Sequence, residues 1–195
     1  MKSRVLAGFA AVFSLLLVTQ AVAEVIYEAD PMERFTGGTP RKFLGINRIA
    51  RENVSFDTSK YKPGSIVVNT KERRLYLVTE EGHARRYGIG VGRAGFQWGG
   101  VHKVTAKKIN PDWTPPPQMR ARQKGLPAMM KGGDPENPLG TRALYLGSTL
   151  YRIHGSSDPD SIGEAESSGC FRMTNNDVED LYERVPIGTT VYVLR

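Results

Sequence analysis

The 195-residue chain is poor in the residues that build covalent or metal frameworks, with one cysteine, Cys170, and three histidines, His83, His102 and His154. A lone cysteine forms no disulfide within the chain, and without a Cys-x-x-Cys pair or closely spaced histidines a zinc site has no ligand set. Long apolar runs are also missing. The apolar run Val5 to Val18 is 14 residues, short of the roughly 18 to 20 needed to span a bilayer. A mean hydropathy of -0.37 excludes a polytopic membrane protein. Charge is present but never dense. The 27 Lys and Arg exceed the 20 Asp and Glu by seven, yet they are scattered, whereas nucleic-acid binding calls for basic clusters with interleaved aromatics. There is no P-loop.

What the chain does have in quantity is punctuation. With 21 Gly and 12 Pro, about one residue in six bends or stiffens the backbone, which points to short strands and turns and excludes long helices. The 39% of hydrophobic residues suffice for one domain of ordinary size and exclude intrinsic disorder.

The first residues set the expected compartment. Met1-Lys-Ser-Arg4 is positive, Val5 to Val18 is apolar, and Ala21-Val22-Ala23 is a small-x-small site before Glu24, the three-part pattern of a secretory signal peptide. Cleavage after Ala23 leaves a net charge of +5 and no transmembrane span in the mature chain. No cysteine lies near that site to carry a lipid. In an oxidising compartment Cys170 has no internal partner, so it is either a small buried hydrophobe or a thiol kept for its chemistry.

Residues 24–62, broken by Pro31, Gly37-Gly38, Pro40 and Pro63-Gly64, read as a loosely packed arm. Ile66–Asn69 and Leu75–Val78 read as a hairpin, Arg86–Val91 as a third strand and Val101–Ile109 as a fourth. The Asn110–Pro117 stretch excludes regular structure, and a short helix is expected near Met119–Lys124. Strands return at Arg142–Leu146 and Leu150–Ile153. Thr174-x-x-Asp177 resembles a capping box, and Val178, Leu181, Tyr182 and Val185 share one face of the helix it opens. Pro186 and Gly188 end that helix, and Thr190–Leu194 closes the chain as a strand.

Gly90-x-Gly92-x-x-Gly95 has the spacing of a dinucleotide turn, but Phe96-Gln-Trp-Gly-Gly100 is no helix start, so it reads as a turn between strands. The informative stretch runs from His154-Gly155 to Ser167-Ser168-Gly169-Cys170-Phe171-Arg172, with 15 residues between His154 and Cys170. A thiol acts as a nucleophile only when deprotonated, and a nearby imidazole can take that proton and return it to a leaving amine. The backbone N–H groups of Ser168, Gly169 and Cys170 are candidate donors to the oxyanion of a tetrahedral intermediate. His83 and His102 read as surface or packing residues. Arg172 either pairs with Glu164, Glu166 or Asp177 or serves a substrate, and Ser167 and Ser168 are turn residues or part of the site.

These residues resemble the active-site signature of the L,D-transpeptidases of the bacterial cell wall, the YkuD-type catalytic domain with periplasmic members. The resemblance spans roughly Gly64 to Arg195 and includes Pro111-Asp-Trp-Thr-Pro-Pro116. Ser168 departs from it, standing where the family usually has His or Arg. The resemblance implies an antiparallel β-sandwich or partly open barrel with one or two short helices over residues 63–195, its cleft partly covered by the Pro-rich and Gly-rich stretches. It implies Cys170 as nucleophile, His154 as base, and the Gly155 carbonyl as the group that orients the imidazole. Arg172 and Ser167 are expected at the substrate. The implied reaction joins peptidoglycan stem peptides, or attaches an outer-membrane protein amine to the wall, in the periplasm, without metal or organic cofactor. A carboxypeptidase or crosslink hydrolase using the same pair, or a wall-binding module with an inert cysteine, stays open at this point.

Overall fold

The computed structural model describes residues 49–195; the expected signal segment and the first part of the arm lie outside them. Nine strands form one open sheet. In chain order these are β1 (Glu52–Ser55), β2 (Ile66–Asn69), β3 (Arg74–Glu80), β4 (His83–Gly88), β6 (Gly100–Ile109), β7 (Arg142–Leu146), β8 (Arg152–His154), β10 (Phe171–Arg172) and β11 (Thr190–Leu194). They lie in the order β1-β4-β3-β2-β11-β6-β7-β8-β10, while β5 (Val91–Gly92) and β9 (Ala165–Ser167) pair separately. The described residues also hold two α-helices, α1 (Pro117–Arg122) and α2 (Asn175–Arg184).

Ile66, Val67 and Val68 of β2 are all buried, in a central strand with β3 antiparallel on one edge and β11 parallel on the other. A continuous apolar run suits a strand covered on both faces. Strand β6 is long enough to serve two neighbours. Its first residues pair with β11 and its later ones with β7, with a register shift between Val104 and Ala106. Such an irregularity bends a strand and turns the sheet.

Helix α2 starts where Thr174 Oγ1 accepts the Asp177 N–H at 3.2 Å. Val178 and Leu181, with Val185 just beyond, are buried in the same apolar cluster as Leu144, Ile153, Phe171 and Met173. The helix therefore presses against β7 and β8 and fixes the end of the sheet that carries His154. Its outer face holds Asp180, which receives hydrogen bonds from Tyr87 at 2.7 Å, Arg85 at 2.9 Å and Arg184. Burial works against that carboxylate, but the Arg184 and Tyr87 hydrogen bonds and the Arg85 charge win and hold it near a pKa of about 2.

The structure differs from the sequence reading in four places. Residues 52–55 of the expected arm are an edge strand, paired antiparallel with β4 and tied by the Arg86–Glu52 ion pair. The third strand begins three residues earlier than expected, at His83. The His154–Cys170 connection is no plain loop, since it carries a 3-10 turn at Pro159–Ser161 and strand β9. Two strand pairs, β2 with β11 and β8 with β10, are parallel within the mainly antiparallel sheet.

Candidate active site

The site grows out of the parallel pair β8–β10. Phe171 stands opposite Ile153 and Arg172 opposite His154, so one step back Cys170 faces Arg152. Side chains alternate along a strand, and Ile153 and Phe171 point into the core, 0% and 1% exposed. Arg152, His154, Cys170 and Arg172 therefore share the opposite face, two from each strand. His154 and Cys170 are diagonal neighbours in this square.

The imidazole is buried, 5% exposed, and its Nδ1 lies 2.6 Å from the Gly155 carbonyl oxygen. A carbonyl only accepts, so Nδ1 carries the proton and Nε2 keeps its lone pair. Burial lowers the His154 pKa to about 4; the Gly155 carbonyl opposes this, and the Arg172 and Arg152 charges add to it. Burial likewise raises the Cys170 pKa, against a pull from the Arg152 backbone N–H and guanidinium and from Arg172. Burial thus favours the uncharged form of each group. No hydrogen bond joins thiol and imidazole among the described residues; the Sγ contact is with the Leu150 carbonyl at 3.9 Å.

The turn before Cys170 is held from two sides. Buried Ser167 donates through Oγ to the Cys170 carbonyl at 2.6 Å and accepts the Gly169 N–H at 3.1 Å. Trp98 Nε1 donates to the Gly169 carbonyl at 2.6 Å, and the indole stacks on Tyr151 at 4.3 Å. Gly169 has φ +108°, and a Cβ there would fall inside 3.0 Å of the Tyr151 ring. Only glycine fits that combination.

Two expectations need correction. Ser167 is not placed to meet substrate, because it is buried and its hydroxyl is engaged with backbone on both sides. The Gly169 N–H is not an open oxyanion donor, because Ser167 Oγ holds it. The N–H groups of Ser168 and Cys170 donate to no group among the described residues, so the amide set shrinks to these two.

None of the internal partners considered for Arg172 is used. Glu164 pairs with Arg73 and Asp177 with Arg51, and the Arg172 guanidinium has no ion-pair partner among the described residues. Its backbone instead clamps Gly90, in both directions at 2.9 Å. Gly90-x-Gly92-x-x-Gly95 contains β5, and no helix opens behind it. The Gly-rich stretch reaches the turn through Phe96, whose carbonyl lies near Gly169. Just beyond the Pro-rich stretch, Arg122 of α1 lies over the Phe96 ring at 5.0 Å. His102 packs edge-on against Trp98, the packing role expected of it.

Sequence reasoning missed Trp98, Tyr151, Arg152 and Asn175. Arg152, two residues before His154, carried a signal in the strand alternation that places it on the histidine's face. The others make their contacts with residues far away in the chain and leave none.

Comparison with known proteins identifies the family. Residues 63–193 match the model of the YkuD L,D-transpeptidase catalytic domain. "Probable L,D-transpeptidase YbiS" of Escherichia coli K12 is 40% identical over 174 residues, covering 76% of this chain and 56% of that protein. The chain spans about half the length of the curated relatives it matches first. A Brucella melitensis crystal structure, described as a "Probable carnitine operon oxidoreductase caia", is 45% identical, with a TM-score of 0.51 over 75% of this chain and 94% of that one. An L,D-transpeptidase from Mycobacterium smegmatis is 17% identical with a TM-score of 0.52, over 67% of this chain and 58% of that one, a likeness of fold. By the family model and the identity to these relatives, the chain belongs to the L,D-transpeptidase family and carries its YkuD catalytic domain.

Proposed function

We propose that the protein is an exported, cysteine-dependent L,D-transpeptidase acting on peptidoglycan stem tetrapeptides in the periplasm. One observation carries the reading. The Gly155 carbonyl fixes the Nδ1–H tautomer of His154, which leaves Nε2 as a base on the face it shares with Cys170.

In this reading Nε2 takes the thiol proton as Sγ attacks the carbonyl between the third and fourth stem residues. Burial favours the uncharged form of both groups, so in this reading proton transfer accompanies attack. The N–H groups of Ser168 and Cys170 receive the oxyanion, a contribution of roughly 3 to 4 kcal/mol per donor. As the tetrahedral species collapses, the C–N bond breaks, His154 returns the proton to the departing D-alanine amine, and an acyl-thioester remains on Cys170. An acceptor amine then attacks that thioester and gives up a proton to Nε2. The C–S bond breaks as the new amide forms, and Nε2 passes the proton to Sγ, which regenerates the thiol. A side-chain amine of a neighbouring stem yields a 3-3 crosslink; a protein amine yields anchoring to the wall. The guanidinium of Arg172, which has no ion-pair partner among the described residues, suits the carboxylates of the stem.

The description carried by the Brucella relative points to redox chemistry instead. The glycine spacing that would have to hold a dinucleotide pyrophosphate runs through strand β5 into a turn, without the helix N-terminus that such binding uses.

The test is product analysis with disaccharide-tetrapeptide. Release of D-alanine with a crosslinked dimer supports the reading, release without a dimer makes the protein a carboxypeptidase, and unchanged substrate refutes catalysis on this class. Cys170→Ala and His154→Ala should each abolish turnover, because nucleophile and base act as a unit.

A further inference from the structure

Behind the imidazole lies a contact that neither the spacing of His154 and Cys170 nor the family signature includes. Asn175 is the first residue of α2, and its Oδ1 accepts two backbone N–H groups, from Thr141 at 3.2 Å and from Ser156 at 3.3 Å. Two donors converge on this atom, so it is the amide oxygen and not the nitrogen. The Ser156 N–H belongs to the same peptide unit as the Gly155 C=O. That unit is planar and trans, so its N–H and C=O point in opposite directions. Holding the N–H on one side therefore aims the C=O on the other, and that C=O receives His154 Nδ1–H at 2.6 Å.

The packing shows how closely this is built. A Cβ on either Gly140 or Gly155 would fall inside 3.0 Å of Asn175 Oδ1, so both positions admit the amide only as glycine. Asn175 itself is set by the capped start of α2, whose apolar face is anchored in the core. A rigid helix is thus connected to the imidazole through one side chain and one peptide plane.

We propose that Asn175 is a positioning residue for the reaction. By holding the Ser156 N–H it orients the Gly155–Ser156 peptide, and through it fixes the tautomer and ring plane of His154. The chain Asn175 Oδ1···H–N Ser156, Gly155 C=O···H–Nδ1 His154 takes the place of a side-chain orienter in a cysteine–histidine pair. Each bond polarises the next in a low-dielectric setting. The inference rests on His154 being the base.

The test is nitrogen NMR of the protein labelled at histidine, alongside acylation by a stem tetrapeptide. In the wild type His154 should show the Nδ1–H tautomer at neutral pH, and an Nε2–H tautomer there overturns the inference without any variant. Asn175→Ala should mix the tautomers and slow acylation by about 10- to 100-fold, with KM little changed, as misplacement of a catalytic group does. Asn175→Asp keeps the acceptor oxygen and should restore the tautomer and most of the rate. A wild-type tautomer and rate in Asn175→Ala, or an Asp variant no better than Ala, overturns it. Asn175→Leu, of similar volume without an acceptor, answers the same question if the Ala variant does not fold. If His154→Ala acylates like the wild type, the proposed function fails; if His154→Ala is inactive while Asn175→Ala is not, only this inference fails.

Discussion

Gly169→Ala probes the turn that presents Cys170, the proposed nucleophile. The backbone there is at φ +108°, where an L-residue carries strain of about 1 to 3 kcal/mol. The added methyl would also meet the Tyr151 ring well inside contact distance. That ring cannot simply retreat, because it is stacked on Trp98 at 4.3 Å, and Trp98 is bonded to the carbonyl of Gly169 itself. Relief of the clash therefore drags on the turn. We expect a total destabilisation of about 2 to 4 kcal/mol, seen as a fall in Tm of roughly 5 to 15 °C. The larger effect should be on acylation, because the Ser168 and Cys170 N–H groups flank the altered residue. Displacing one such donor costs about 100-fold or more. Thermal melting and the rate of acyl-enzyme formation, measured on one preparation, check both parts. A variant with wild-type Tm and wild-type acylation would show that the turn has room the structure denies it.

Ser168→His, which restores the usual family residue, should change acylation by less than about tenfold, because position 168 serves through its N–H; a larger loss measured in single-turnover acylation refutes the backbone role. Alkylation of Cys170 by iodoacetamide should keep rising with pH beyond the range of an ordinary thiol, since burial raises its pKa; a plateau already reached below pH 7 would reveal a stored ion pair. Asp180→Asn should lower stability at neutral pH by about 2 kcal/mol in denaturant melts. The folded pKa of Asp180, about 2, lies below its ordinary 3.8, so the stabilisation is full above that value and fades as pH falls towards 2. Wild type and variant should therefore converge between about pH 4 and 2, and a constant gap across that window contradicts the assignment.

The elements legible in the sequence were those whose apolar pattern is local. Strands β2, β3, β6 and β11 carry runs of Val, Ile and Leu, and α2 carries a cap and an i, i+3, i+4 face, so neighbours in sequence already define them. Strand β1 is Glu-Asn-Val-Ser, almost wholly exposed, and exists because β4 offers it an edge. The start of strand β4 is illegible because His83, Ala84 and Arg85 follow a Glu-Glu-Gly turn and carry no apolar run; the partner of Arg85, Asp180, is remote in the chain. Strand β9 has three residues, too few for any period. At the site, the Gly-bracketed His154 and Cys170 were visible through their spacing, and the Gly155 carbonyl was implied by the family resemblance. The corrections at Ser167 and Gly169 come from a hydroxyl that closes its own turn, a local hydrogen bond that competes with any role toward a ligand. Trp98 reaches Gly169 across 71 positions of chain, and Asn175 reaches two loops at once, contacts that only the folded sheet creates.

The central claim is that Cys170 becomes acylated by a stem tetrapeptide with loss of its terminal D-alanine. Intact-protein mass spectrometry of the mature enzyme mixed with disaccharide-tetrapeptide, followed by peptide mapping, measures this directly. The account predicts one adduct equal to the substrate less D-alanine, mapped to Cys170, absent from Cys170→Ala, and cleared when an acceptor amine is added. A folded, substrate-exposed enzyme that never acquires the adduct, or acquires it equally in Cys170→Ala, would contradict it.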